Sequence, residues 1–143
     1  MLGIRTVGER VTDIDYLQKN VATLAPLTKL AERVCRQVEN YLDDPEFAFD
    51  VPFELQGTAF QRDVWKRIST IPPGKTLTYS DIARALRTAP RPVGGACGRN
   101  RLPLIIPCHR VLAADGLGGF MRGAGEGRSI KLWLLRHEGV LGT

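Results

Sequence analysis

The sequence predicts two parts. Residues 1–54 form a shortened α/β lobe of sheet plus helix. Residues 55–143 form a mainly α domain built on a helix-turn-helix, winged-helix-like in outline. Three observations predict this. Apolar and polar residues alternate near the N-terminus. Apolar residues then recur at helical spacing up to Leu42. Beyond Leu55, short segments with helix-start signals are separated by proline turns.

Leu2-Gly3-Ile4-Arg5 and Thr12-Asp13-Ile14-Asp15-Tyr16 have the period of half-buried strands. Leu27, Leu30, Val34, Val38, Tyr41 and Leu42 share one face of a helix from Pro26 to Leu42. Pro26 suits its first turn. Asp43-Asp44-Pro45 stops it, because a residue before proline avoids the α region. Cys35 falls on the same apolar face and is expected to be buried and inert. Phe47, Phe49 and Val51 alternate as a third strand. Thr58 and Gln61 predict a capping box, with Phe60, Val64 and Ile68 as the buried stripe of that helix. Pro72-Pro73-Gly74 is a turn. Thr78 and Asp81 cap a second helix through Leu86, with Ile82 and Leu86 inward. Pro90-Arg91-Pro92 interrupts it, and Pro92 opens a third helix running to Arg99. The helices across 79–99 read as a helix-turn-helix.

Composition narrows the class. The 143 residues are 43% hydrophobic, without a long uncharged apolar run, so no membrane span is expected. No secretory signal is visible at the N-terminus. Three cysteines without framework spacing argue for a reducing compartment, and a cytoplasmic location is expected. No Cys-x-x-Cys or His-x-His spacing indicates a metal site, and no cofactor is called for. The net charge of +5 conceals a division. Residues 1–54 hold 6 basic and 10 acidic side chains, whereas residues 55–143 hold 14 basic and 5 acidic. Basic charge alone fits a solvated surface as well as an anionic partner. The segregation points to a partner that meets only the second part.

The chemistry centres on Ile106-Pro107-Cys108-His109-Arg110-Val111, which follows the apolar run Leu104-Ile105-Ile106. A thiolate is a strong nucleophile, and a basic or cationic neighbour favours it. Pro107 fixes φ and ends the preceding strand just before the thiol. The third helix is unusual, since Val93-Gly94-Gly95-Ala96-Cys97-Gly98 carries little side-chain bulk. Each glycine costs a helix about 1 kcal/mol relative to alanine. Either a neighbouring element packs closely there, or an external backbone approaches.

This hexapeptide resembles the active-site motif of the O6-alkylguanine-DNA alkyltransferases, which repair DNA by moving an alkyl group onto their own cysteine. The resemblance runs from Gly57 to Gly139. It includes Gly57-Thr58-Ala59-Phe60-Gln61, Val64-Trp65, Ile71-Pro72-Pro73-Gly74-Lys75-Thr76 and Tyr79. It continues through Arg91, Val93-Gly94-Gly95-Ala96, Asn100, Trp133-Leu134-Leu135 and His137-Glu138-Gly139. It implies Cys108 as nucleophile and His109 as base through a bridging water. It implies Glu138 as the acid that orients the imidazole and Asn100 as support for the loop. Tyr79 would rotate a phosphate and donate a proton to the departing guanine. Arg91 would fill the space left by an extruded base, although an ordinary phosphate contact is the alternative. Gly94, Gly95, Ala96 and Arg99 would meet the DNA. Val111, Phe120, Met121 and Lys131 would line the substrate pocket under a glycine-rich lid over 116–128. The carbonyls of Cys108 and Val111 would accept from the guanine amino group.

The implied partner is double-stranded DNA carrying O6-alkylguanine, bound in the minor groove without regard to sequence by a monomeric protein. That groove distinguishes little beyond A·T from G·C. The chain departs from the family pattern in four places. The segment between Leu86 and Arg91 is shorter, Pro92 replaces a usual alanine, Met121 stands where some members have serine, and the lid over 116–128 is a few residues longer than in compact members. Three other functions share features with this sequence. A lesion sensor of the same fold would lack the cysteine. A transcription factor would carry polar base-reading side chains on its recognition helix. A cysteine hydrolase would need an oxyanion hole and would turn over.

Overall fold

The computed structural model describes residues 2–16, 28–114, 116 and 127–140. The chain opens with an antiparallel hairpin, β1 (Leu2–Val7) and β2 (Arg10–Tyr16), with an irregularity between Arg5 and Thr6. Both strands are longer than the alternation predicts. α1 (Lys29–Asp43) follows, and its N-cap is Thr28, whose hydroxyl accepts from the Ala31 N–H. Pro26 and Leu27, expected in its first turn, lie outside the described residues. Val34 and Tyr41 are its buried anchors. Leu42, expected inward, is 49% exposed. One position beyond Tyr41 is a rotation of about 100°, enough to leave the packed face.

No strand forms over Phe47–Val51. The backbone of Asp50 is satisfied from α1 instead. Its carbonyl accepts from the Arg33 and Gln37 side chains, and its N–H donates to Gln37 Oε1 at 2.8 Å. A side-chain amide thus takes the place of a neighbouring strand. Pairing begins only beyond this, where Val11 donates to Pro52 O and Glu54 donates to Val11 O, each at 2.9 Å. Ile14 N donates to Arg101 O at 2.8 Å, tying the hairpin to the C-terminal part.

α2 (Ala59–Ile68) starts at the predicted capping box. Gln61 N donates to Thr58 Oγ1 at 3.1 Å, and Thr58 N donates to Gln61 Oε1 at 3.0 Å. Thr78 and Asp81 repeat the device at α3 (Tyr79–Leu86). Arg87 ends α3 in the left-handed region, φ 58°. Its neighbour Thr88 donates back to Ala83 O at 2.9 Å, closing a Schellman motif. α4 (Pro90–Gly98) begins two residues before the predicted Pro92. Pro90 and Pro92 both fit its first turn, whose N–H groups have no intrahelical acceptor in any helix. Val93, Ala96 and Cys97 face the core, and the Trp65 indole donates to Ala96 O at 2.9 Å. Two short parallel strands, β3 (Leu77–Thr78) and β4 (Val111–Leu112), join the entrance of α3 to the exit of the active-site turn. α5 (Gly127–His137) closes the chain, with Gly139 at φ 80° and Val140 N donating to Leu135 O at 2.9 Å.

One core runs through the molecule, from Val11 and Ile14 through Val64, Ile68, Ile82 and Val93 to Leu134. Each such side chain contributes about 1.5–3 kcal/mol on burial. Among the described residues, five α-helices and two small sheets make this an α/β fold. Among the described residues no helix is long and apolar enough to cross a membrane.

Gly57 lies against the Trp65 ring. A Cβ there would sit 2.7 Å from a ring carbon and 2.6 Å from Gln61 Oε1. Gly57→Ala should therefore destabilise the protein by about 1–3 kcal/mol, since buried Trp65 cannot yield without losing its packing. The expected readout is a lower urea midpoint with an unchanged slope.

Candidate active site

The run Leu104–Ile106 is not a strand. Leu104 takes a left-handed φ of 76°, and Ile106 N donates to Leu102 O at 2.9 Å. Pro107, at φ −81° and ψ 63°, then forms an inverse γ-turn, in which Cys108 N donates to Ile106 O at 2.8 Å. Cys108–Arg110 is a single 3₁₀ turn. Successive side chains on such a turn diverge by about 120°. Cys108 therefore faces Asn100, while His109 and Arg110 face the end of α5. The opposed faces of a strand do not apply here.

Cys108 is buried, 2% exposed. Asn100 holds it in place. Its amide donates to Ile106 O at 2.9 Å and to Cys108 Sγ at 3.3 Å, and its Oδ1 accepts from Leu102 N at 2.8 Å. The Cys97 thiol on α4 and burial hold the Cys108 thiol well above its ordinary value of 9.0, while Asn100 and Lys131 pull the other way. At rest Cys108 is therefore a thiol. The expected lowering by adjacent cations does not occur, because His109 and Arg110 are turned towards Glu138.

Glu138 gathers the site. Its side chain is fully buried. Oε2 accepts from Tyr41 Oη at 2.6 Å and from Arg110 Nη2 at 3.0 Å, and lies 2.7 Å from His109 Nε2. Oε1 accepts from Arg110 Nε at 2.8 Å and from Gly74 N at 3.4 Å. Arg110 Nη1 donates onward to Ile71 O at 2.7 Å. Burial pushes the carboxyl upward. The hydrogen bonds from His109, Arg110 and Tyr41 and the attraction of His109 outweigh it, so Glu138 titrates well below the carboxylate range. His109 is fully buried, and burial lowers it from 6.5 despite the opposing pull of Glu138. The imidazole is neutral at pH 7. With Nε2 on Glu138, Nδ1 is the ring nitrogen available to take a proton.

Lys131 is completely buried on α5. Its Nζ donates to Val111 O at 2.6 Å and lies 5.8 Å from the Tyr79 ring centroid. The Cys108 carbonyl accepts from Val111 N–H. Both carbonyls expected to meet a base thus already accept one bond, and each oxygen retains a second lone pair. Tyr79 is half-buried at the start of α3.

Arg91, Gly95 and Arg99 are exposed along one stripe of α4. Gly94 is half-buried, and a Cβ on it would meet Tyr79 at 3.8 Å, an ordinary contact. A Cβ on Gly95 would meet nothing within 4 Å. Close packing within the protein therefore does not explain these glycines. Ala96, expected on the outward face, is 2% exposed beneath Trp65 and belongs to the core. Phe120 and Met121 lie outside the described residues, as do residues 117–126 of the lid expected over 116–128; its last two positions, Gly127 and Arg128, open α5 instead. Among the described residues no cluster of His, Cys, Asp and Glu could hold a metal ion.

Two residues escaped the sequence reading. Arg110 reads in the hexapeptide only as a cation beside the thiol, yet it pairs with Glu138, the carboxylate that a buried arginine next to a buried histidine requires. Tyr41 was assigned to an apolar stripe. A buried phenol needs a hydrogen-bond partner, yet nothing in the sequence names Glu138 as that partner. His137 packs at the helix end as expected, with Nε2 2.7 Å from Tyr41 O and its ring stacked on Trp133.

A family model described as 6-O-methylguanine DNA methyltransferase, DNA binding domain, matches residues 59–140. A methylated-DNA--protein-cysteine methyltransferase of Archaeoglobus fulgidus is 45% identical over 107 residues, which cover 73% of each chain. One from Candida albicans is 35% identical over 141 residues, covering 96% of this chain and 79% of that one. The Mycobacterium tuberculosis OGT solved in complex with DNA has a TM-score of 0.80 at 34% identity, covering 99% of this chain and 88% of that one. The chain belongs to the methylated-DNA--protein-cysteine methyltransferase family.

Proposed function

We propose that the protein repairs duplex DNA by moving a methyl group from guanine O6, and less efficiently from thymine O4, onto Cys108. The observation that carries this reading is the buried Cys108 thiol, fixed by Asn100 beside a neutral His109 that is itself anchored on Glu138.

The thiol proton passes through a bridging water to His109 Nδ1, and Glu138 stabilises the resulting imidazolium. Sγ attacks the methyl carbon in line, forming C–S as C–O6 breaks. The bond electrons pass to the guanine, which takes a proton from Tyr79. Nothing in this scheme cleaves the thioether, so each molecule acts once. Lys131 holds the Val111 carbonyl on the pocket wall.

We read α3, the Arg87–Ala89 turn and α4 as a helix-turn-helix that lies in the minor groove. The bare face at Gly94 and Gly95 suits close approach without sequence readout, and Arg99 suits a phosphate. A guanine must leave the stack to reach a buried thiol, at a cost of a few kcal/mol. Arg91, exposed in the first turn of α4, is the side chain that fills the vacated space. A transcription factor would place polar readers where this helix has glycines.

Incubation with duplex containing O6-methylguanine should add one methyl group per molecule, mapped to Cys108, with a plateau insensitive to chelators. Cys108→Ser should abolish transfer and retain duplex binding. An adduct on Cys97, or continued turnover, would sink the assignment. Arg91→Ala should slow duplex repair by roughly ten- to a thousandfold and leave reaction with free O6-benzylguanine nearly unchanged. Equal slowing of both would make Arg91 a structural residue of the turn. Gly95→Ala should stabilise the protein by about 1 kcal/mol, since the site is open and helical, yet weaken duplex binding. Unchanged binding would remove Gly95 from the DNA face.

A further inference from the structure

We propose that Tyr41, on α1, is a positioning residue for the transfer reaction, and that its phenol tempers the grip of Glu138 on the His109 imidazole. The inference rests on the reading in which His109 takes the thiol proton.

The phenol is 1% exposed and donates to Glu138 Oε2 at 2.6 Å. His109 Nε2 uses the same oxygen at 2.7 Å, and Arg110 Nη2 reaches it at 3.0 Å. Three donors on one carboxylate oxygen share its charge, so each is held less tightly than it would be alone. The phenol is also fixed from both sides. The Tyr41 carbonyl lies 2.7 Å from His137 Nε2, one residue before Glu138, and the Tyr41 ring packs on Phe49 at 5.6 Å. Side chain 41 thus reaches residue 138 while side chain 137 reaches backbone 41.

The chemistry sets two demands on the imidazole. It must be held in a fixed orientation, and it must remain neutral until the thiol gives up its proton. A carboxylate with no competing donor satisfies the first and undermines the second, because it stabilises the imidazolium at rest. The groups acting on His109 are Glu138 just past α5, Lys131 on α5 and Arg110 beside it, with Tyr41 of α1 on the Glu138 carboxylate and Cys97 of α4 behind Cys108. Glu138 raises the imidazole, whereas burial, Arg110 and Lys131 lower it. Tyr41 acts on that balance through the carboxylate. Loss of the hydroxyl strengthens the Glu138–His109 bond and moves the imidazole towards its charged form, which cannot accept the thiol proton.

The test is the pH profile of single-turnover methyl transfer in Tyr41→Phe, with NMR titration of His109 alongside. The chain has two histidines, so assignment is direct. Tyr41→Phe should keep one methyl group per molecule and move the His109 midpoint upward by about one pH unit, a tenfold rate loss on the acid side that disappears at alkaline pH. A fluorinated tyrosine at 41 keeps the ring and donates more strongly, and it should move the midpoint downward. A wild-type adduct away from Cys108 would overturn the functional reading itself. With the adduct on Cys108, an unmoved His109 midpoint, or a rate lowered equally at every pH, would overturn the role of Tyr41.

Discussion

The buried carboxylate of Glu138 is the constraint on which the rest of the structure depends. A charge removed from water is tolerable only when paired and hydrogen-bonded. Here the guanidinium of Arg110 supplies the opposite charge in a two-point contact, and His109, Tyr41 and the Gly74 N–H complete the shell. Removing one partner from such a cluster generally costs about 3–5 kcal/mol. The cluster therefore fixes four segments at once: the end of α1, the turn after α2, the 3₁₀ turn and the end of α5. Orientation of the His109 imidazole follows from that arrangement.

α4 serves two neighbourhoods through one helical period. Val93, Ala96 and Cys97 turn inward, and Cys97 lies beside Cys108. Arg91, Gly95 and Arg99 turn outward. The helix that exposes Gly95 between two arginines thus also forms a wall of the thiol's surroundings. Asn100, just past its C-cap, links the two by bonding both the Ile106 carbonyl and Sγ. A displacement of α4 would be felt at the sulfur through two short contacts.

Local signals were legible in the sequence wherever a residue acts on its near neighbours. The capping boxes at Thr58 and Thr78, the stop at Asp44-Pro45 and the Gly139 terminus all depend on side chains within a few positions. The hexapeptide also singled out Cys108 and His109, which the structure buries side by side. What could not be read was decided at long range. The Phe47–Val51 alternation is real, yet Gln37 and Arg33 claim the Asp50 backbone that a strand would need. Two prolines near the start of α4 read as an interruption, although a first turn accepts both. The thiol's elevated titration depends on Cys97 and on burial, neither of which adjacency to His109 reveals.

The Tyr41–Glu138 bond spans 97 positions and His109–Glu138 spans 29. Such distant partners meet only after the intervening chain has folded. During synthesis the ribosome emits the cysteine before α5 exists, so the emerging thiol has an imidazole beside it but no carboxylate to hold that imidazole. Until Glu138 is added, the Cys108–His109 pair lacks the carboxylate that holds the imidazole in the folded protein. The shell of that one carboxylate oxygen is complete only when Tyr41, His109 and Arg110, far apart in the chain from Glu138, have all reached it.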